Sequence, residues 1–335
     1  MSISNALPTG VPNVWGEGIL FGFSGADGKT VTANGFVGSL GPDRYSVLIH
    51  TPAKRILSVS VKTTGRVMCA TGDAVVVDFE DSELAYVWSK WHTLIGVCPD
   101  KVELALGIIG KTAAVAKDQP IISTGMDAAD GIIVLLRKGN RFSLSYGVSS
   151  QQALDRCQSA ISDDVSVTIQ NRLAYLDSLP KLDNSTDSML LRKAASVSKV
   201  NILASEGAHQ RKWSTPDRVP HRNMWLWDSV FHSFFQNLLD PDLSYELIRS
   251  VADFAYTAEA AEEVGHPEWT GKLAHQMDVA GKRSLPTQPP LLAWAFAENL
   301  IARGNTEGLE EVVPILEGYL QWDMEFRDSN RNRLL

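Results

Sequence analysis

Cysteine is scarce in the chain, with Cys69, Cys98 and Cys157 the three present among 335 residues. Three thiols so far apart are too few for a disulfide framework or a zinc knuckle. We therefore expect free, buried thiols and a reducing, cytoplasmic location. The sequence also shows no basic segment followed by an apolar one near its start and no uninterrupted apolar run of about 18 residues, so we expect neither secretion nor membrane insertion.

Positive charge is scarce as well. Lys and Arg number 31 against 39 Asp and Glu, which gives a formal net charge of -8. Because no basic run offsets this balance, a phosphate-backbone partner is disfavoured, and we expect no nucleic-acid binding. The hydrophobic fraction of 44% and the charged fraction of 21% are those of an ordinary globular protein, and the length suggests two domains.

Residues 1–150 predict an antiparallel β-sandwich domain. Short runs rich in Val, Ile, Thr and Tyr alternate with Gly, Asp, Asn and Pro, and no ten-residue helical pattern intervenes. The clearest hairpin lies at 131–147, where Lys138, Gly139 and Asn140 supply the turn between two β-prone runs. Gly16, Gly18 and Gly22 do not have the G-x-G-x-x-G spacing of a dinucleotide-binding loop. We therefore expect no such loop.

The rest of the chain has helical periodicity. Residues 151–184 predict a helical linker with an apolar stripe that includes Val167, Leu173 and Leu176. Residues 185–335 predict five or six helices arranged as stacked α-hairpins, with helix ends at Gly207 and Gly265 and with Pro314 in the first turn of a helix.

Two loops of this region carry side chains suited to a sugar site. Trp225, Trp227 and Asp228 stand at the start of a predicted helix, and the second loop holds His275, Gln276 and Gln288. Indole faces stack on the C–H faces of a pyranose, while a carboxylate and amides distinguish its hydroxyls. Taken singly, Asp228 is better explained as a helix-capping residue and both tryptophans as core residues, and Gln288 can likewise be read as a cap.

Four segments together resemble one family. They read W-L-W-D-S-V-F-H from Trp225, K-L-A-H-Q-M-D from Lys272, T-Q-P-P-L-L-A-W-A from Thr287, and W-D-M-E-F-R-D-S-N from Trp322. Residues 185–335 thereby resemble the six-hairpin α/α-barrel glycoside hydrolases, glycoside hydrolase family sixty-three in the trehalase clan, which includes mannosylglycerate hydrolase and processing α-glucosidase. The resemblance implies a β-sandwich followed by the first part of an α/α toroid, that is, an incomplete barrel.

The resemblance also implies roles for single residues. Those expected at the subsite for the cleaved sugar are Trp225, Trp227, Asp228 and Gln288, with Arg327 and Asp328 bracing the inner end of the barrel. The family's mechanism is inverting and needs an acid and a base about 6.5 to 9.5 Å apart. The expected acid Asp and base Glu both lie beyond Leu335, so we expect this chain alone to be inactive.

The sequence therefore predicts an α-glycosidase for a small glycoside, such as mannosylglycerate or glucosylglycerate, or for oligosaccharide ends. The alternative is a non-catalytic carbohydrate-binding or interaction protein. We expect no cofactor, and no metal site because the histidines lack H-x-x-x-H or H-E-x-x-H spacing.

Overall fold

The computed structural model describes residues 3–13, 23–24, 38–40, 45–117, 119–125, 130–218, 221–328 and 330–332. Its contacts separate two units, Met1–Val200 and Asn201–Leu335, which we call the β unit and the helical unit. The β-prone run at 29–38 lies outside the described residues apart from Gly38.

The β unit contains two antiparallel sheets. Their strands are β1 (Gly38–Leu40), β2 (Val47–Ile49), β3 (Arg55–Ser60), β4 (Arg66–Ala70), β5 (Ala74–Asp78), β6 (Glu83–Lys90), β7 (Thr93–Val97), β8 (Glu103–Ile108), β9 (Ala114–Val115), β10 (Ile121–Thr124), β11 (Ile132–Lys138) and β12 (Arg141–Gly147). One sheet has the order β1-β2-β3-β8-β9 and the other β10-β11-β12-β7-β6-β5-β4. The prediction of an antiparallel β fold followed by helices is confirmed.

The predicted hairpin is strands β11 and β12. Lys138 pairs with Arg141, which leaves Gly139 and Asn140 as the two turn residues. Gly139 has φ +58°, a conformation that costs glycine little. The local turn chemistry therefore explains this register.

One apolar core joins the two sheets. Val47 and Leu57 of the five-stranded sheet share it with Tyr86 and Leu144 of the seven-stranded sheet, and all four are fully buried. In each strand, every second side chain points inward, and these side chains pack together between the two sheets.

Two helices, α1 (Ser150–Ala160) and α2 (Val165–Leu173), cover the other face of the seven-stranded sheet. Helix α3 (Ser185–Val200) follows them in the chain. In α2 the buried stripe is Val165, Ile169 and Leu173, whereas Val167 is 50% exposed. The segment described above as a linker therefore buries its apolar side chains on the sheet, and the predicted place of Val167 in the stripe is wrong.

The helical unit contains helices α4 (Leu226–Gln236), α5 (Pro241–Ala252), α6 (Ala258–Glu263), α7 (Leu292–Arg303) and α8 (Leu309–Phe326), and short strands β13 (Ile202–Leu203), β14 (Trp213–Ser214), β15 (Met224–Trp225) and β16 (Gln276–Met277). Helices α4, α5 and α7 pack against one another. Asp240 caps α5 by accepting a hydrogen bond from the Leu243 N–H, and Gly304 ends α7 with φ +68°.

Three helix predictions need correction. The helix expected to reach Gly207 ends at Val200, because Ile202 and Leu203 pair with β14. The helix expected to end at Gly265 is divided into α5 and α6. Pro314, expected in a first turn, lies inside α8.

The three cysteines are free and buried, as predicted. Among the described residues, no helix has the length and apolar character needed to cross a membrane.

Candidate functional site

A two-stranded ladder joins the two loops that the sequence singled out. In strands β15 and β16, Trp225 pairs with Gln276 and Met224 with Met277. The Leu226 N–H extends the ladder by donating to the carbonyl oxygen of His275 at 2.9 Å. Both methionines of the ladder are fully buried, which anchors it in the apolar interior. The ladder thus holds the start of α4 beside residues about fifty positions later in the chain.

Gln288 is held at the same place by a cap. Its Oε1 accepts a hydrogen bond from the main-chain N–H of Trp227 at 3.0 Å. Trp227 is in the first turn of α4, where main-chain N–H groups have no acceptor within the helix. Gln288 therefore does act as a cap, but for a helix 61 positions earlier rather than for the helix that follows it. Its amide nitrogen has no hydrogen-bond partner among the described residues.

The indole of Trp225 lies between two imidazoles. The His221 ring stands edge to face with it at 5.8 Å between centroids, and the His275 ring does the same at 5.0 Å. Within the described part of the chain, the buried indole Nε1 has no acceptor. Trp225 is half-buried. We call His221, Trp225, Asp228, His275 and Gln288 the Trp225 cluster.

Two carboxyl groups lie on the His221 side. Asp217 accepts two hydrogen bonds from His221, from Nδ1 at 2.8 Å and from the main-chain N–H at 3.0 Å. Asp228 lies in the first turn of α4. Burial raises the pKa of Asp228 above its usual value, and the nearby His221 opposes that rise. The site therefore combines a hydrogen-bonded His221–Asp217 pair with a carboxyl, Asp228, whose pKa is raised by burial.

Exposed aromatic rings continue from this cluster along α4. Trp227 is 41% exposed and contacts Phe231, which contacts Phe234, and Phe234 in turn contacts Trp294 of α7 at 4.5 Å between centroids. We call Trp227, Phe231, Phe234 and Trp294 the aromatic face. Contiguous exposed rings of this kind are a feature that interaction surfaces share.

Arg327 and Asp328 lie at the carboxyl end of α8. Arg327 Nε is 3.8 Å from Asp323, and Asp328 is buried and accepts a hydrogen bond from the Asn332 N–H at 2.9 Å. The contact between α8 and the Gln288 loop comes from Tyr319, whose hydroxyl donates to the Gln288 carbonyl oxygen at 2.8 Å.

Four residues in or beside the cluster were missed from sequence, namely Asp217, His221, Tyr319 and Ser284, whose Oγ contacts His275 Nδ1. The spacing of Asp217 and His221, four residues apart and just before Trp225, was a usable signal. The bonds of Ser284 and Tyr319 depend on loop geometry that no local pattern encodes.

The β unit has a cavity of about 560 Å³. Two charged side chains that line it, Glu83 and Arg141, form hydrogen bonds with main-chain groups of the protein. The Glu83 carboxylate accepts from the main-chain N–H groups of Ile3 and Ser4, and Arg141 donates to the carbonyl oxygen of Ser162. This cavity offers less ligand chemistry than the cluster around Trp225.

Comparison with models of known protein families finds no match, and comparison with curated protein sequences finds none either. Across the described ranges, no group of three or more His, Cys, Asp or Glu side chains is placed to hold a metal ion.

Proposed function

We propose that the helical unit binds a carbohydrate at the cluster around Trp225 and belongs to an α-glycosidase of inverting type. The substrate class is a small glycoside, such as mannosylglycerate or glucosylglycerate, or the end of an oligosaccharide. The observation that carries the proposal is the Trp227–Gln288 hydrogen bond beside the β15–β16 ladder. Together, the hydrogen bond and the ladder bring residues 224–227, 276–277 and 288 to one place, and these segments carry side chains of the types that recognise sugars.

The chemistry of the cluster suits a polyhydroxylated ring. The exposed face of Trp227 is available for stacking on C–H groups. Because Gln288 Oε1 is occupied by the Trp227 N–H, its amide nitrogen is left to donate to a ligand oxygen. Asp228 supplies an acceptor, and a hydrogen bond to a charged group contributes about 1.5 to 3 kcal/mol.

The packing of the helices is compatible with the proposed toroid. Helix α4 packs on α5, and α7 packs on both. The residues of the cluster lie at or just before the start of α4 and in the segment between α6 and α7. We propose that these helices are the first part of an α/α toroid in which Arg327 and Asp328 brace the inner end.

A non-catalytic carbohydrate-binding or interaction role is the second candidate, and the aromatic face favours it. Its rings lie in mutual contact and include Phe231 at 49% and Trp294 at 50% exposure. Such a surface holds a ligand by stacking and needs no proton transfer.

Release of free sugar distinguishes the two candidates. Residues 1–335, alone and joined to a segment that supplies the expected acid Asp and base Glu, are incubated with mannosylglycerate, glucosylglycerate, trehalose and glucose-capped oligosaccharides. The enzyme proposal predicts no release by residues 1–335 alone and release from at least one substrate by the extended protein, lowered about tenfold or more by Asp228→Asn. Glu317→Gln on the exposed face of α8 is the matched control and keeps the wild-type rate.

Binding without release by either protein supports the non-catalytic candidate. Absence of both binding and release for the whole panel contradicts both candidates.

A further inference from the structure

Ser284 and His275 belong to one loop of the helical unit, and their side chains are in contact through Ser284 Oγ and His275 Nδ1. The backbone around them is fixed. The Ser284 N–H donates to the Gln276 carbonyl oxygen at 3.1 Å, and the His275 N–H donates to that of Pro286 at 2.9 Å. The His275 carbonyl oxygen accepts from Leu226. What remains free in His275 is the rotation of its ring and the position of its ring proton.

The hydrogen bonds of Ser284 decide that proton position. A serine hydroxyl has one hydrogen to donate and two lone pairs. The Gln276 N–H donates to Ser284 Oγ at 3.2 Å, which uses one lone pair. For the hydroxyl hydrogen there are two acceptors, His275 Nδ1 and the Pro286 carbonyl oxygen at 3.4 Å, and the contact with Nδ1 is the shorter. In the neutral imidazole, Nδ1 therefore accepts from Ser284 and the ring hydrogen is on Nε2.

The same hydroxyl also accommodates the charged ring. In the imidazolium both nitrogens carry hydrogen, so Nδ1–H donates to Ser284 Oγ, and the hydroxyl then donates to Pro286. In both states Nε2 carries a hydrogen. This nitrogen has no hydrogen-bond partner among the described residues, and the ring stands edge to face beside Trp225.

We propose that Ser284 is a positioning residue that keeps His275 a hydrogen-bond donor at Nε2, directed to an acceptor oxygen of the bound sugar. The inference rests on the proposed function, since it assigns one contact within the same site. It specifies the chemistry of that contact, because a ligand group must offer an oxygen lone pair to meet Nε2–H.

The test is the ¹⁵N spectrum of the histidine rings in the full chain without ligand, in alkaline buffer, with His275→Gln used to assign the signal. The wild type is expected to show Nε2 protonated and Nδ1 unprotonated. Ser284→Ala is expected to give averaged signals from both tautomers, and Ser284→Thr, which keeps a hydroxyl, to restore the wild-type pattern. Protonated Nδ1 in the wild type, or an unchanged tautomer in Ser284→Ala, overturns the proposal. If Ser284→Ala does not fold, the spectra of the wild type and of Ser284→Thr still show which ring nitrogen of His275 carries the hydrogen, and this tests the proposal.

A binding titration with trehalose and mannosylglycerate separates this inference from the proposed function. The affinity is expected to fall about tenfold in Ser284→Ala and to return in Ser284→Thr. If the wild type shows the expected tautomer but binds no sugar, the proposed function fails and the ligand contact at Nε2 fails with it. If sugar binds but the tautomer differs, the proposed function stands and the role of Ser284 is refuted.

Discussion

The imidazole of His209 lies almost flat on the indole of Trp213, with ring centroids 4.4 Å apart and planes inclined by 14°. Phe254 contacts the same imidazole, which is 1% exposed. Within the described part of the chain, neither ring nitrogen of His209 has a hydrogen-bond partner. Burial therefore lowers the pKa of His209 to about 4.

This burial predicts a loss of stability in mild acid. Because the folded-state pKa is below the ordinary value of 6.5, the fold favours the neutral ring. The contribution is complete above pH 6.5 and is lost as the pH falls from 6.5 towards 4. His209→Phe keeps the stacking but cannot take up the proton, so its free energy of unfolding should fall less over this range, by about 1 to 3 kcal/mol.

Urea unfolding at several pH values measures the effect. His266→Phe is the matched control, because His266 is stacked on Trp269 in the same way but is exposed. Equal pH dependence in His209→Phe and the wild type would contradict the prediction.

The buried Asp323 is expected to give the free energy of unfolding the opposite pH dependence. Its side chain in α8 is 1% exposed, and neither oxygen has a hydrogen-bond partner among the described residues. Burial raises its pKa from 3.8 to about 6, against the effect of Arg327. This group therefore favours the fold below pH 3.8, and that contribution is lost as the pH rises from 3.8 to about 6.

Asp323→Asn resembles the protonated form at every pH. It should be more stable than the wild type above pH 6, by about 1 to 3 kcal/mol, with the difference vanishing below pH 4. Thermal and urea unfolding from pH 3.5 to 8 measure this, with the exposed Glu325→Gln on the same helix as control. A destabilised Asp323→Asn at pH 8 would show that the carboxylate has a stabilising partner.

A buried ion triad in the β unit predicts a large loss of stability on mutation. Asp73 is fully buried and lies 2.7 Å from Arg172 Nη2, while Lys199 Nζ is 2.9 Å from each of its oxygens. Asp73→Asn leaves two cations without their carboxylate and should cost about 3 to 5 kcal/mol.

The control for this prediction is Asp81→Asn. Asp81 also pairs with a lysine, Lys101, but its side chain is 75% exposed, so little change is expected. Urea midpoints that shift equally in the two variants would contradict the importance of burial.

Local patterns predicted the parts of the structure that depend on neighbouring residues. The hairpin turn at Gly139 and Asn140 needs only its own two residues. The helix end expected at Gly207 was wrong because Ile202 and Leu203 pair with Ser214 and Trp213 of β14, a contact that helical periodicity does not show.

In the candidate site, too, residue types could be read from the sequence, whereas contacts between separate segments could not. The sequence singled out Trp227 and Gln288 by residue type, but their hydrogen bond joins segments 61 positions apart. Ser284 was missed because serine is common in loops, and its contact with His275 follows from the loop's three-dimensional path.

Calorimetric titration of the full chain with the four sugars tests the central claim, that the Trp225 cluster binds carbohydrate. Gln288→Glu is the informative variant, because it keeps an acceptor for the Trp227 N–H while removing the amide donor. The account predicts saturable binding by the wild type and by Glu317→Gln, weakened about tenfold, or about 1.4 kcal/mol, in Gln288→Glu. No binding by the wild type, or equal affinity in Gln288→Glu, would contradict it.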